Sequence, residues 1–317
     1  MPNTDSWRCS ERVQGRRITL LGREIEVKDY ICSADGVHYP AKQETRLQVY
    51  IVLTRHCDAR CPFCIAAPTD SRAAQDPAVL ERILRRLKEE DCVRGISVTG
   101  GEPFELPGLL DETVSMIFSV FGTGMEVTLD TNGSGLRHLD GIRELKHVDT
   151  VHISRHHWDD RRNEEIFGRK MPGAEELRGM IAEIPYRELF VMNCMLLKGW
   201  VETAEDAHRY MDFAISLGAG KVSFITGTAV NDFIRKRRVC YEDVLRDGDP
   251  SLLFTRGFRD HGFCHCRDGI YASPEGRIIE FYGRHGESGG GRLCRALVVT
   301  PEGEVRAGFG GEILYRA

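Results

Sequence analysis

The chain has 317 residues, 41% hydrophobic and 29% charged, with 43 basic and 48 acidic side chains for a net charge of -5. That is enough apolar material for one large domain, or a domain with an appendage, and too acidic a balance to offer nucleic acid a general basic field. No apolar run approaches a membrane span, the opening Met1-Pro2-Asn3-Thr4-Asp5 lacks the basic and apolar regions of a secretory leader, and the eleven cysteines do not form a small disulfide scaffold; these features read as a cytoplasmic chain with reduced thiols and neither a nucleic-acid nor a membrane partner.

Residues 1–45 read as a short N-terminal β cap, with strand-like stretches at 17–21 and 24–27 around a Leu21-Gly22-Arg23 turn. From 46 to 238 the pattern alternates. An apolar, β-branched run at 47–54 leads into Cys57-Asp58-Ala59-Arg60-Cys61-Pro62-Phe63-Cys64. Helical spacing follows at 79–87, a strand at 95–99 that stops at Gly100, a helix at 109–121 and a strand at 125–129. Then come a strand at 150–154, a helix at 174–184, a strand at 189–196, a helix capped by Thr203 and Asp206 that runs to about Leu217, and a strand at 221–225. Six strands separated by helix-length connections suit parallel βαβ crossovers, and periodicity alone does not decide between a doubly wound sheet and a barrel. Residues 239–317 form a C-terminal extension. In it 266–278 and 294–305 are similar, each a strand, a Pro-Glu-Gly turn and a second strand, so two β-hairpins are expected.

The chemistry starts at the cysteines. Cys57, Cys61 and Cys64 offer three thiolates on one tight loop and no fourth. Soft thiolates suit iron–sulfur clusters, and three can hold three irons of a four-iron cluster while the fourth stays open. A closed zinc site normally takes four protein ligands. A zinc knuckle, a redox pair or plain buried thiols are the competing readings. The next strand ends in Gly100-Gly101-Glu102-Pro103, whose glycines permit close backbone approach to a ligand and leave amides to bind it. Alone, that turn would be an ordinary βα connection.

Together the C-x3-C-x2-C run, the aromatic before its last cysteine and the Gly-Gly-Glu-Pro turn resemble the radical S-adenosylmethionine (radical SAM) superfamily. The resemblance implies an α/β fold, a partial (β/α)6 TIM-type barrel with chemistry at the C-terminal ends of its strands. It implies a 4Fe-4S cluster on Cys57, Cys61 and Cys64, with S-adenosylmethionine at the open iron. Phe63 would pack near the adenine, and Gly100, Gly101, Glu102 and Pro103 would grip the methionine amino group. Asn132, in Asp130-Thr131-Asn132-Gly133, would lie near the ribose, although an Asn-Gly turn explains it nearly as well. Ser154 and Arg155 would meet the carboxylate, Arg as a bidentate fork. His156 and His157 are candidates for substrate contact or proton transfer, only one of them facing the site; Asn193 and Lys198 are weaker ones. In such enzymes one electron cleaves the cofactor to methionine and a 5'-deoxyadenosyl radical, which takes a hydrogen atom from the substrate. The implied electron source is a flavodoxin- or ferredoxin-type reductant.

The tail hairpins resemble the SPASM/Twitch extensions and the hairpin of the molybdenum-cofactor GTP cyclase. This chain departs from them: the spacing is C-x-C, and Arg306-Ala307-Gly308-Phe309 stands where a further cysteine is usual. Cys264, Cys266 and Cys294 therefore carry three readings: ligands of an auxiliary iron–sulfur cluster, a thiol that donates a hydrogen atom, or inert buried thiols.

The leading function is hydrogen abstraction from a small nucleoside, sugar or amino-acid type substrate, ending in epimerisation, dehydrogenation, rearrangement or sulfur insertion. A peptide substrate ranks second, because the N-terminal piece is about half a winged-helix recognition domain. A non-enzymatic iron–sulfur redox sensor ranks last. It should show a basic face, and the short Arg235-Lys236-Arg237-Arg238 run reads as a solvated helix surface.

Overall fold

Leu21 and Gly22 both take positive φ, 52° and 76°, the backbone a two-residue turn needs to fold one strand back on another. They join β1 (Gly15–Leu20) to β2 (Arg23–Lys28) in antiparallel register, and β3 (Tyr30–Ile31) pairs with β4 (Lys42–Gln43). The structure is a computed structural model that describes residues 15–28, 30–31, 42–43, 46–65, 71–186, 189–228, 231–244, 259–263, 269–272, 278–282, 293–294 and 296–317.

The barrel starts with β5 (Leu47–Val52). Asp76 then caps α1 (Pro77–Glu89), its carboxylate accepting from the amides of Ala78 and Val79, with proline in the first turn where a missing N–H costs nothing. Leu80, Ile83, Leu84 and Leu87 fall on one face of α1 and bury against the sheet. β6 (Val93–Thr99), α2 (Pro107–Phe121), β7 (Glu126–Thr131) and β8 (Thr150–Ser154) follow. Between β7 and β8 the chain makes only short 3-10 turns, Leu136–Gly141 and Leu145–His147. The next connection carries two helices, α3 (Asp160–Phe167) and α4 (Ala174–Glu183). The sequence reading anticipates one, because α3 is mostly charged and buries only Asn163, Ile166 and Phe167. β9 (Phe190–Leu196), α5 (Ala204–Ser216) with its Thr203–Asp206 capping box, and β10 (Lys221–Thr226) complete the repeat. Two short helices, α6 (Asp232–Arg237) and α7 (Tyr241–Val244), follow.

β5 to β10 pair in chain order, all parallel. This is the partial TIM-type barrel expected. The tail supplies β11 (Arg259–Phe263), β12 (Gly269–Ala272), β13 (Ile278–Tyr282), β14 (Leu293–Cys294), β15 (Ala296–Val299), β16 (Glu304–Ala307) and β17 (Ile313–Arg316). Both similar stretches form hairpins, β12–β13 and β15–β16, and they flank opposite edges of the sheet. β13 adds in parallel to β10, and β15 adds in parallel to β5. Gln75 clamps the second junction, donating to the carbonyls of Val52 (2.9 Å) and Val299 (3.3 Å). β14 pairs with β2, so the N-terminal hairpin and the tail share a small sheet.

One face of the large sheet presents Val49, Ile51, Ile96, Val98, Val127, Leu129, Val151 and Ile153 to the helices in a continuous core. The alternate residues face away from the helices. Among the described residues no helix is long and apolar enough to cross a membrane.

Candidate functional site

The loop that carries the cysteines leaves the C-terminal end of β5 and is tied at once to the end of β6. Gly101 N–H donates to the carbonyl of Thr54 (2.7 Å) and Glu102 N–H to that of His56 (2.9 Å). A Cβ on Gly101 would fall 1.6 Å from the His56 oxygen, and one on Gly100, at φ +142°, 2.6 Å from the Thr54 oxygen. The glycine pair therefore lets two backbones touch. Its following amides, expected to await a ligand, are spent on the cysteine loop. Pro103 is buried and opens the 3-10 turn Pro103–Glu105.

Glu102 is fully buried. Its carboxylate accepts from Thr131 Oγ1 (2.7 Å), the Phe104 amide (3.1 Å) and the Asn132 amide (2.6 Å). Burial pushes its pKa up to about 7, against the three hydrogen bonds that favour the charged form. Asn132 then turns toward the cysteines: Oδ1 accepts from the Ser134 amide (2.8 Å), and Nδ2 donates to Asp58 Oδ1 (2.7 Å). The other Asp58 oxygen pairs with Arg169, just beyond α3.

Further bonds shape the loop. Arg60 N–H donates to the Phe167 carbonyl (2.8 Å), Cys64 N–H to that of Cys61 (3.1 Å), and Asn231 Nδ2 to that of Pro62 (3.0 Å). Cys57 Sγ accepts from the Ala59 amide (3.4 Å). All three thiols are free and half-buried. Burial pushes the pKa of Cys57 up to about 11 and that of Cys61 higher still, so both are thiols until a metal displaces their protons. Among the described residues no three His, Cys, Asp or Glu side chains close on a single ion. Three thiols spaced along one loop, one of them already accepting a backbone N–H, fit three irons of a four-iron cluster by donor type and number.

Phe63 meets the edge of His156 (centroids 4.8 Å, 87°), and His156 stacks on Phe167 (5.1 Å, 15°). The His156 ring takes over where β8 ends, its Nδ1 accepting from the Met195 amide (3.1 Å). Burial lowers its pKa to about 3, so it stays neutral. That position suits a fixed wall better than the proton transfer expected of it. Burial also lowers His157, whose Nδ1 accepts from the Asp159 amide.

Arg155 is likewise turned away from the role of carboxylate fork. It is buried, and its guanidinium donates to the carbonyls of His157 (3.1 Å) and Pro172 (3.0 Å) and pairs with Asp160. Ser154 faces away from the helices, opposite Asn193 on β9.

Cys294, the last residue of β14, is buried just ahead of β15, in the core with Val27, and its Sγ lies 3.3 Å from the Ala296 carbonyl. The cysteine loop lies at the other end of the sheet, past β5, with which β15 runs parallel. Cys294 therefore packs in the core, a strand's length from the cysteine loop. Cys264 and Cys266 lie outside the described residues. Asp58 and Arg169 were not foreseen; adjacency to Cys57 was the only sequence signal for the first, and nothing marked the second.

A family model, the radical SAM superfamily, matches residues 51–214. Among solved structures the chain is similar to Streptococcus suis SuiB bound to precursor peptide SuiA, with 17% identity and a TM-score of 0.59, covering 84% of this chain and 60% of that one. SuiB bound to S-adenosylmethionine gives 18%, 0.58, 84% and 61%. Coproporphyrinogen III oxidase (HemN) from Escherichia coli, described as a radical SAM enzyme, gives 12%, 0.50, 84% and 64%. At these identities the likeness is one of fold, and the chain spans about three-fifths of the length of the SuiB chains. No curated protein matches the sequence.

Proposed function

The chain belongs to the radical SAM superfamily, and from that premise we propose that it takes a hydrogen atom from a small polar substrate held on the inner face of its barrel. When bound, a 4Fe-4S cluster with S-adenosylmethionine supplies a carbon-centred radical strong enough to attack an unactivated C–H bond. Cys57, Cys61 and Cys64 would hold the cluster. The Gly100–Pro103 turn would hold the cofactor's amino end through its backbone carbonyls, because the Glu102 carboxylate already accepts three internal hydrogen bonds. Phe63 would flank the adenine, while Asn132 and Ser154 line the approach from β7 and β8. The protein's work is to bind, orient and exclude competing hydrogen donors.

The observation that carries this reading is the convergence of loop 57–64, the Gly100–Gly101 turn and the Thr131–Gly133 turn at the C-terminal ends of three adjacent parallel strands, where barrel enzymes keep their chemistry. SuiB was solved with a precursor peptide, and a peptide is the competing outcome of any substrate test. A flavodoxin- or ferredoxin-type protein is the proposed electron source.

The test is iron per chain, and 5'-deoxyadenosine release on reduction with S-adenosylmethionine, beside a variant with all three loop cysteines replaced by alanine. The expected result is about four irons and release in the intact protein, as one cubane cluster requires, with neither in the variant. Release that persists in the variant would overturn the reading. Iron that persists without release would instead reveal an auxiliary cluster in the tail.

A further inference from the structure

The barrel's inner face is polar on almost every strand. Register sets Tyr50 beside Ser97 and Thr128 beside Thr150, and places Ser154, Asn193, Ser223 and Glu280 in one row. Much of this surface is satisfied internally. Thr128 and Thr150 share a hydrogen bond (2.9 Å), Gln48 donates to Ser97 (3.1 Å), and Lys221 Nζ pairs with Glu280 Oε2 (2.6 Å).

One pair is not. Asp130 on β7 and His152 on β8 are register partners, with His152 Nδ1 3.1 Å from Asp130 Oδ1. Central strands of a parallel sheet are normally buried on both faces and apolar, yet the side chains of Asp130 and His152 remain 30% and 26% exposed. Among the described residues neither Asp130 Oδ2 nor His152 Nε2 has a hydrogen-bonding partner. The fold thus places a carboxylate–imidazole pair in the middle of the sheet and, among the described residues, leaves one heteroatom of each open. Asp130 lies two residues before Asn132, which touches the cysteine loop, and His152 two before Ser154. A two-residue strand step is about 7 Å, so the pair sits one step deeper than the loops that would hold the cofactor.

We propose that the Asp130–His152 pair fixes substrate specificity, binding a hydrogen-bond-donating group, hydroxyl or ammonium, of a small polar substrate and orienting it beneath the cysteine loop. This inference rests on the radical SAM reading above. In the tautomer that gives Nδ1–H to the carboxylate, His152 Nε2 is an acceptor, and Asp130 Oδ2 is a second acceptor beside it. Both call for donors, and the carboxylate disfavours an anionic group. Tyr50 adds a donor on the same face. Its hydroxyl stays protonated, its pKa raised to about 12 by burial and by the charge of Asp130.

The test is ligand-observed saturation-transfer NMR on the reconstituted protein with S-adenosylmethionine, using glucosamine, glucose and gluconate as probes. Glucosamine and glucose should bind and gluconate should bind more weakly. The stronger of the first two distinguishes ammonium from hydroxyl recognition. Asp130→Asn and His152→Gln should each weaken sugar binding about tenfold or more, the loss of one charge-assisted hydrogen bond. Iron per chain in both variants should match the parent, which shows that the loop still assembles. Equal sugar binding in the variants, no sugar binding in the parent, or a preference for gluconate would overturn the proposal. Release of 5'-deoxyadenosine by the parent reports the radical SAM reading separately, so either can fail alone.

Discussion

Asn132 Nδ2 donates across 2.7 Å to Asp58 Oδ1, and this single bond joins the end of β7 to the residue after the first cysteine of the loop. The Asn132 backbone is held in turn by Glu102, at the end of β6. Three strand ends are thereby fixed to one another through a buried carboxylate, a side-chain amide and a half-buried carboxylate. Each link is directional, so the loop inherits its shape from the rigid sheet.

Removing the amide should loosen the loop without dissolving the barrel. In Asn132→Ala the Asp58 oxygen loses its donor, at a cost of about 1 kcal/mol for one hydrogen bond, and iron per chain after reconstitution should fall. Asn132→Asp should be worse, since it sets a second carboxylate against Asp58. Urea unfolding and an iron assay check both, and iron at the parent level in the aspartate variant would show that the bond does not position the loop.

Gly101→Ala tests the close approach of backbones. The new methyl would sit 1.6 Å from the His56 carbonyl oxygen, and a backbone atom cannot swing aside as a flexible side chain can. The loop must move, at a cost of about 1–3 kcal/mol or more. The expected outcome is a folded protein that loses most of its iron and its 5'-deoxyadenosine release. Circular dichroism with the iron assay separates this from global unfolding.

Glu102 should leave a pH signature on stability. Its folded pKa, about 7, lies above its ordinary value of 4.5, so the native state binds the extra proton between those two pH values. Stability from this group is therefore fully present below about pH 4.5 and lost as pH rises through 7, by up to about 3 kcal/mol. In Glu102→Gln that dependence disappears. The gap in unfolding free energy between parent and variant should shrink from pH 5 to pH 8; a constant gap would mean that Glu102 titrates normally.

The six parallel strands were legible because each is a short apolar run closed by Gly, Asn or a polar turn, and Gly100-Gly101 marked a close approach, read as one to a ligand, which the structure gives to the backbone of the cysteine loop. Arg155 was not legible. An arginine at a strand end reads alike whether it points to a ligand or, as here, into a nest of carbonyls and Asp160. The place of Cys294 was not legible for a related reason: sequence gives a thiol and a hairpin, and only the parallel pairing of β15 with β5 shows which end of the barrel receives it. The similar hairpins could be recognised locally, but local pattern cannot say that they flank opposite edges. The charged α3 lacked the apolar stripe by which α1 announces itself.

Arg55 and Glu302 link the tail to the cysteine loop. The guanidinium grips the carboxylate through Nε and one terminal nitrogen, both at 2.9 Å, from a position two residues before Cys57. Glu302 sits in the turn between β15 and β16, and the arginine holds its pKa down to about 2. Both side chains are about a third or more exposed, 33% and 44%, so solvent screening limits the pair to at most about 1 kcal/mol despite that shift. Because the folded pKa is depressed, this contribution is present above the ordinary carboxylate value of 4.5 and is lost as pH falls toward 2. A double-mutant cycle of Arg55→Ala and Glu302→Ala, read by urea unfolding at pH 7, should give a coupling below about 1 kcal/mol that shrinks in about 0.5 M salt. A coupling several times larger and indifferent to salt would mean that the tail hairpin and the loop fold as one buried unit instead of meeting at a surface clasp.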